Sequence, residues 1–424
     1  MEPAGPRPGD RSNVTDPTGA DGGDRDAPAP VAPAGPLQGI RVVDITSIVM
    51  GPLATQIFGD LGADVITIED PRGTLSRVMT GGPHPQLSGV ALNLLRNKRS
   101  VVLDLKTDDG RAGLLRIVAT AQVLVTNLRP ATLGRLGLAY ADIAAVRPDI
   151  VYCQAQGYPT DSDMADAPAY DDVIQAATGL PDTFRRVGGE PRFVPTLLAD
   201  KVCGLTIAYA VMAALLHRER TGEGQRVEIP MVDTMTAFTL VEHAGAATGR
   251  PPQGAPGYQR ILSPGRRPQR SADGWISVLP YTRQNFEDVF RVGGRDDLAD
   301  APRIHTARAR IEHADALYGE VATIVAQRTT AAWLAFCRAA GVPASTVPTL
   351  DQLVDGLPED VHPVAGRYKV IPQPVRFSRS SGATVHRPAA LSGEHTAEVL
   401  AEVGRPAVGA DRLKGPTRSP GEAG

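Results

Sequence analysis

Between Ile40 and Gln154 the chain alternates short, mostly apolar runs with stretches of helical spacing, and no other feature limits the fold as much. Residues 40–45, 64–69, 100–105, 122–126 and 149–154 each have a strand's length and are rich in Val, Ile and Leu. Runs of that kind fit a parallel sheet whose two faces are both covered by helices. Helices are expected at about 52–61, closed by Gly62, at 108–120, and in a short piece ending near Val146. The fold class that follows is α/β, built on a mostly parallel sheet.

A chain of 424 residues exceeds one ordinary core, so two domains or one elaborate domain are expected. Residues 1–36 are rich in Pro, Gly, Ala and Asp and too poor in large apolar side chains to offset ordering entropy. They read as a disordered extension, and 405–424 as a disordered tail. The alternating pattern fills 37–230. A helix over 231–247 and the loop Gly249-Arg-Pro-Pro-Gln-Gly-Ala-Pro-Gly257 make 231–254 a helix and linker. A smaller domain is expected over 255–345, with a strand at 274–279, helices at 283–290, 305–327 and 330–340, and a strand near 344–347. Residues 346–404 then return to the first domain and end in a helix from about His395.

Charge is balanced, 44 basic against 47 acidic side chains for a net −3, and no basic stripe points to nucleic acid. Cys153, Cys203 and Cys337 are far apart and lack histidines at ligand spacing, so neither a disulfide framework nor a metal site is expected. Such cysteines fit a reducing cytoplasm. The longest clean apolar run, 207–216, falls short of the roughly 18 residues a membrane span needs, and the polar N-terminus does not read as a signal peptide. A cytoplasmic protein without membrane or nucleic-acid partners is therefore expected.

The best clue to chemistry is Asp200, just ahead of the apolar stretch 202–216, which closes on His217-Arg-Glu-Arg-Thr-Gly-Glu-Gly-Gln225. Aspartate is a favoured helix N-cap, and this is where a cap would sit. The same amides and helix dipole favour the ionised, nucleophilic carboxylate, so cap and nucleophile are compatible roles. Tyr170-Asp-Asp-Val-Ile-Gln175 follows an acidic loop, 161–168, and offers either another cap or, in Asp171, a second carboxylate near the chemistry. Gly51-Pro52 opens a helix at a crossover turn, where backbone amides can meet a phosphate, yet 46–51 is not G-x-G-x-x-G. No histidine has a triad-like partner and no H-E-x-x-H occurs, so serine and metal hydrolysis fit poorly.

In order along the chain, these pieces resemble the class III CoA-transferases, the CaiB/BaiF superfamily of formyl-CoA:oxalate and carnitine CoA-transferases. The matches are Gly39-Ile-Arg-Val-Val-Asp44, Gly51-Pro52, Leu61-Gly-Ala-Asp-Val-Ile66, Asn97-Lys-Arg-Ser100 and Leu103-Asp-Leu-Lys106. They continue through Asn127-Leu-Arg-Pro130, Arg135-Leu-Gly137, Thr221-Gly-Glu-Gly-Gln225 and Ala272-Asp-Gly-Trp275 to Leu391-Ser-Gly-Glu-His-Thr396. The resemblance implies a Rossmann-like large domain, a smaller α/β domain and a homodimer of interlocked chains. It places the nucleophile on Asp200 and a second carboxylate on Asp171. Contacts to coenzyme A carry onto Val49, Met50, Leu103, Asp104, Leu105, Lys106, Asn127, Leu128, Arg129, Arg135, Pro168, Ala169 and Tyr170.

The implied activity is reversible transfer of CoA from an acyl-CoA to a free carboxylic acid, with no permanently bound cofactor, no metal, and the thioester as substrate. Alternatives within the resemblance are a 2-methylacyl-CoA racemase, which carries histidine where this chain has Tyr170, and a CoA-binding homologue without catalysis. Three departures stand out. Val49 replaces a glutamine of the turn, Asp70 replaces a basic residue after the second strand, and Ser263-Pro-Gly-Arg-Arg-Pro-Gln269 stands where some members carry a glycine loop.

Overall fold

The computed structural model describes residues 35–380 and 385–404, so nearly all of the expected N-terminal extension and the whole expected tail lie outside the described residues. The first half forms β1 (Arg41–Ile45), α1 (Met50–Asp60), β2 (Asp64–Glu69), α2 (Gly89–Leu94), β3 (Lys98–Val102), α3 (Asp108–Val118), β4 (Val123–Thr126), α4 (Pro130–Leu136), α5 (Tyr140–Val146) and β5 (Val151–Gln156). It continues with α6 (Asp171–Ala177), α7 (Leu180–Arg186), α8 (Leu198–Thr221), β6 (Gln225–Pro230) and α9 (Met231–His243). The strands form one six-stranded sheet in the order β3-β2-β1-β4-β5-β6, and every pairing is parallel. This is the doubly wound order, whose direction reverses between β1 and β4.

Each face of the sheet has its own core. Val42, Val65, Val123, Val125, Val151 and Cys153 pack with α1 and α8 through Ala54, Phe58, Cys203 and Ile207. Val43, Ile66, Val101, Leu124 and Tyr152 pack on the other side with α3 and α5 through Leu114, Ile117 and Ile143. Alternate residues of one strand thus feed opposite cores, as the period of two in a strand requires.

Three strands of this sheet depart from expectation by two residues or more; β5, expected at 149–154, runs over Val151–Gln156. β3 starts at Lys98 rather than Ser100 and ends at Val102, which leaves Leu103–Leu105 outside the sheet. Lys98 and Arg99 look like turn residues but are buried because both are paired: Lys98 Nζ donates to Asp44 at 3.1 Å, and Arg99 grips Asp64 and Glu402. β6 was not expected at all. Its Arg226 and Glu228 interrupt an apolar pattern, but the two pair at 3.0 Å along one face of an edge strand.

The second half adds β7 (Gln269–Arg270), β8 (Trp275–Val278), α10 (Arg283–Val292), α11 (Asp296–Ala299), α12 (Ala307–Glu312), α13 (Ala314–Val325), α14 (Thr330–Ala340) and β9 (Ala344–Thr346). The expected helix at 305–327 is broken into α12 and α13 at His313. These elements enclose a separate core of Ile276, Val278, Phe286, Phe290, Tyr318 and Trp333 beneath an antiparallel three-stranded sheet. The chain then forms α15 (Leu350–Asp355), the hairpin β10 (Glu359–His362) and β11 (Gly366–Lys369), and α16 (Thr396–Gly404). Tyr368, Val370 and Ala389 pack on α2, and the His395 amide donates to the Ser100 carbonyl at 2.9 Å.

Helix α8 is longer than the apolar run 207–216 alone indicated. At 24 residues, with a mean hydropathy of 1.5 over its most apolar window, its length and composition would suffice to cross a membrane. Here its buried residues, Cys203, Ile207, Ala208, Val211 and Ala214 among them, face the sheet and α1.

Candidate active site

The crevice at the reversal point lies over the C-terminal ends of β1 and β4, where open α/β sheets bind ligands. The Asn127 side chain stitches its two sides together, accepting from the Ser47 amide at 3.1 Å and donating to the Ser47 carbonyl at 3.0 Å. Ile48, between the strand and α1, has φ of +73°, a conformation costly for a β-branched residue. The Ser76 hydroxyl donates to its carbonyl at 2.7 Å and helps hold the turn. Strain of that kind gathers at functional sites.

Asp200 reaches the same crevice from α8. The helix begins at Leu198 with Leu197 as its cap position and no side-chain cap bond, so Asp200 stands inside the first turn rather than capping it. Asp171 likewise opens α6 behind Tyr170 rather than capping it. Helix α8 approaches α1 closely because residue 204 is glycine: a Cβ there would stand 2.7 Å from the Met50 carbonyl oxygen. Four residues apart on one helix, Gly204 and Asp200 share a face, so this close crossing brings the carboxylate up to the Met50 turn.

Asp171 stands behind Asp200. Its Oδ1 accepts from the Asp200 amide at 3.0 Å, and its Oδ2 accepts from Gln175 Nε2 at 2.6 Å. Gln175 in turn accepts from the Val194 amide at 2.9 Å. Among the described residues no donor meets the Asp200 carboxylate itself. Burial first, and then the charge of Asp171, push its carboxyl up to about 6. The helix dipole was expected to favour the ionised carboxylate, but loss of water and a like charge outweigh it. Cys203, one turn on, is no competing nucleophile, since burial pushes its thiol up to about 12.

Two cavities open off this point. The smaller, about 290 Å³, is lined by Asp200 together with Ser47, Ile48, Met50, Asn127, Leu128, Arg129, Gln156, Gly157, Pro168, Ala169, Tyr170 and Met231. The larger, about 950 Å³, runs past Leu103, Asp104, Leu105, Lys106, Arg111 and Arg135 to Asp70 and Arg72. Ser47, Ile48, Leu128, Thr132 and Tyr170 line both, so the two are adjoining parts of one cleft. The loop carrying Pro168–Tyr170 is drawn in by Arg129, which donates to the Asp166 carbonyl at 3.0 Å, while the Ala131 amide donates to the Asp166 carboxylate at 2.8 Å.

The residues chosen from sequence fall on these walls apart from two. Val49 is buried at the start of α1, and Asp171 is buried behind Asp200; neither lines a cavity. The structure adds Ser47, Ile48, Gln156, Gly157 and Met231 to the inner cavity, and Arg72 and Arg111 to the outer one. Arg72 bears on the basic residue missing at Asp70. It stands two positions on, at the same wall, paired to Asp70 through two 2.8 Å bonds that hold the Asp70 carboxyl down at about 2. Residues 263–269 line neither cavity, and Gly265 is tied to Asp315 of α13 at 2.7 Å. No cluster of His, Cys, Asp or Glu suited to a metal occurs among the described residues.

Comparison with known proteins bears on the family and the fold. The model of CoA-transferase family III matches residues 37–396. The probable fatty acyl-CoA transferase Rv3272 of Mycobacterium tuberculosis is 34% identical over 388 residues, covering 87% of this chain and 98% of its own. A succinate–glutarate CoA-transferase of Agrobacterium fabrum is 30% identical over 87% of this chain and 96% of its own. Among solved structures, an aspartate-to-alanine mutant of Rv3272 matches with a TM-score of 0.74 at 32% identity, over 87% of this chain and 99% of that one. A CaiB/BaiF family protein from Brucella suis matches with a TM-score of 0.74 at 26% identity, over 87% of this chain and 100% of that one. A family match over most of the chain, on the doubly wound sheet and crevice described above, makes this protein a member of CoA-transferase family III, and hence a transferase.

Proposed function

We propose that the enzyme moves CoA reversibly from an acyl-CoA to a free carboxylic acid, with Asp200 as the covalent nucleophile. The observation that carries this reading is a buried carboxylate that meets no donor among the described residues, opening onto a small cavity that adjoins a long cleft edged by Lys106, Arg111 and Arg135. The nucleotide end of a CoA thioester fits the outer cleft, and its pantetheine arm passes Tyr170 and Leu128 into the inner cavity.

Asp200 attacks the thioester carbonyl, giving a mixed anhydride and CoA thiolate. The thiolate attacks the aspartyl carbonyl, releases the first acid and leaves an aspartyl-CoA thioester. The incoming carboxylate attacks that thioester, and the thiolate it displaces returns to the new acyl group, restoring Asp200. One thioester is lost as another forms, so the cycle needs no external energy source. With a carboxyl near 6, Asp200 is mostly ionised at neutral pH but lacks hydrogen bonds that would blunt it. Ile48 and Met50 line the inner cavity beside Asp200, and we assign the developing oxyanion to backbone amides of this turn.

A small acyl group suits an inner cavity of about 290 Å³, near the lower end for ligand pockets. Leu205, Tyr209 and Leu216 of α8 and Phe238 and Val241 of α9 are exposed apolar side chains, and we assign them to contact with a second copy of the chain. Cys153, Cys203 and Cys337, all free and buried, suit a cytoplasmic enzyme.

The test is incubation with isotopically labelled acyl-CoA and a panel of carboxylic acids, followed by mass spectrometry of the peptide bearing Asp200. Transfer of CoA with a mass adduct on Asp200 supports the reading. Deuterium uptake at the α-carbon without transfer would replace it with racemisation, and binding without turnover would leave only a CoA-binding protein.

A further inference from the structure

Gln175 of α6 is fully buried, lines neither cavity of the cleft and takes no part in the covalent steps above. Its carboxamide nevertheless makes three bonds that converge on the entrance of α8. Nε2 donates to Asp171 Oδ2 at 2.6 Å and, more weakly, to the Val194 carbonyl at 3.4 Å, while Oε1 accepts from the Val194 amide at 2.9 Å. An oxygen facing an N–H and a nitrogen facing a carboxylate leave the amide a single orientation.

Each partner leads to the nucleophile by its own route. Val194 belongs to 190–197, the largely exposed stretch that feeds into α8. Among the described residues, the bonds to Gln175 are the only hydrogen bonds this stretch makes beyond itself and α8. Asp171 leads there through its other oxygen, because Oδ1 accepts from the Asp200 amide at 3.0 Å. That amide lies in the first turn of α8, where no carbonyl stands one turn back to receive it. One side chain thus ties down both the chain entering the helix and, through Asp171, the residue that carries the reacting carboxylate.

We propose that Gln175 is a positioning residue for the transfer reaction, clasping α6 to the start of α8 so that the Asp200 carboxylate stands at the inner cavity. Its effect on turnover rests on the transferase reading, whereas its hold on the Val194 and Asp200 amides does not. Gln175 never meets substrate; what it fixes is the place of the group that does. Rate is steep in that placement, a shift near 1 Å costing about 10²-fold.

The experiment compares two variants with wild type. Gln175→Met fills similar space without donor or acceptor. Its kcat is expected to fall by about 30-fold or more, while the dissociation constant for free CoA, held by the outer cleft, stays unchanged. A general loss of structure would weaken both together. Gln175→Glu separates position from packing. The introduced carboxyl would stand close to that of Asp171, and two carboxyls so near share one proton. With that proton in place the contact to Asp171 and the acceptor for Val194 both survive; as pH rises and the proton leaves, repulsion opens the clasp. The kcat of Gln175→Glu relative to wild type is therefore expected to fall about tenfold between about pH 6.5 and about pH 8.5. A purely structural role would leave that ratio flat.

Hydrogen exchange supplies a readout that needs no turnover. The Val194 and Asp200 amides are expected to exchange about tenfold faster or more in Gln175→Met, with the amides of β4 unmoved. Unaltered kcat in Gln175→Met, a flat Gln175→Glu ratio, or unaltered exchange at both amides would overturn the proposal. Should Gln175→Met fail to fold, the pH dependence of Gln175→Glu decides. Should wild type form no adduct on Asp200, the transferase reading fails by itself, and exchange at the two amides then decides whether Gln175 positions that carboxylate.

Discussion

The two ends of the cleft are built from opposite materials. Around Asp200 the walls are buried backbone and small residues packed without slack: a Cβ on Gly157 would stand 2.3 Å from that of Ala169, and one on Gly51 equally close to that of Thr46. At the outer end the apolar side chains of Ile68, Leu75, Leu103, Leu105 and Leu136 share the wall with charged ones that reach into water, and the Arg72 side chain is 77% exposed. Water can replace an exposed ionic contact at little loss, but it cannot replace a placed carboxylate or repair a shifted helix. Alterations at the inner end should therefore change the chemical step, and those at the outer end only the hold on substrate.

The hardest test of that contrast is Asp200→Asn. Nearly isosteric, it leaves the packing alone but removes the nucleophile, and kcat should fall by about 10⁴-fold or more. Residual turnover within tenfold of wild type, measured with an acid that the native enzyme accepts, would break the contrast at its strongest point. Gly204→Ala comes next. The new methyl group would press on the Met50 carbonyl oxygen and, at 3.1 Å, on Leu53, forcing α1 and α8 apart. Overpacking of this sort costs about 1–3 kcal/mol of stability. A displacement near 1 Å of the carboxylate lowers kcat by about 10²-fold. Denaturant midpoints and initial rates measured on one preparation separate the two effects.

A smaller effect comes from pH. Asp200 reacts as its carboxylate, and its carboxyl is raised to about 6, so acidification removes the active form as pH falls through that value. At pH 5 kcat/KM should be roughly a tenth of its plateau. Asp171 is the lesser cause of the shift, after burial. Asp171→Asn should therefore move this acidic limb to lower pH without carrying it to the ordinary aspartate value. A limb unmoved in Asp171→Asn would mean that burial alone sets the value.

The same inner and outer division governs what could be read from sequence. Elements whose residues keep to one pattern were legible: β2 at Asp64–Glu69 and α14 at Thr330–Ala340 have the bounds their apolar spacing gives. Elements whose polar residues are neutralised by distant partners were not. Lys98 looks like a turn until Asp44, 54 residues away in the chain, is seen to bury it, and Arg226 with Glu228 hid β6 in the same way. Asp200 was conspicuous as a lone carboxylate before an apolar helix, yet its raised pKa depends on burial that no local spacing reveals. Gln156 had no signal in its residue type, because its place on the wall follows from where β5 ends beside β6.

At the outer end, Asp70 and Arg72 offer the finest test. The pair is locally neutral, so Arg72 is drawn to Asp70 as well as to any phosphate in the cleft. Asp70→Asn removes the competing carboxylate and should lower the KM for acyl-CoA. Arg72→Ala removes the cation and should raise it. Each change should stay within about fivefold, with kcat unmoved, because exposed ion pairs are worth little. Both effects should shrink as salt is raised and screening sets in. A thioester of dephospho-CoA, which lacks the 3′-phosphate, locates the contact. If Arg72 meets that phosphate, the two variants should no longer differ from wild type with this substrate; if it meets the pyrophosphate, their differences should persist. A change in kcat from either variant would mean that the outer wall reaches the reacting atoms, and the division between the two ends would have to be redrawn.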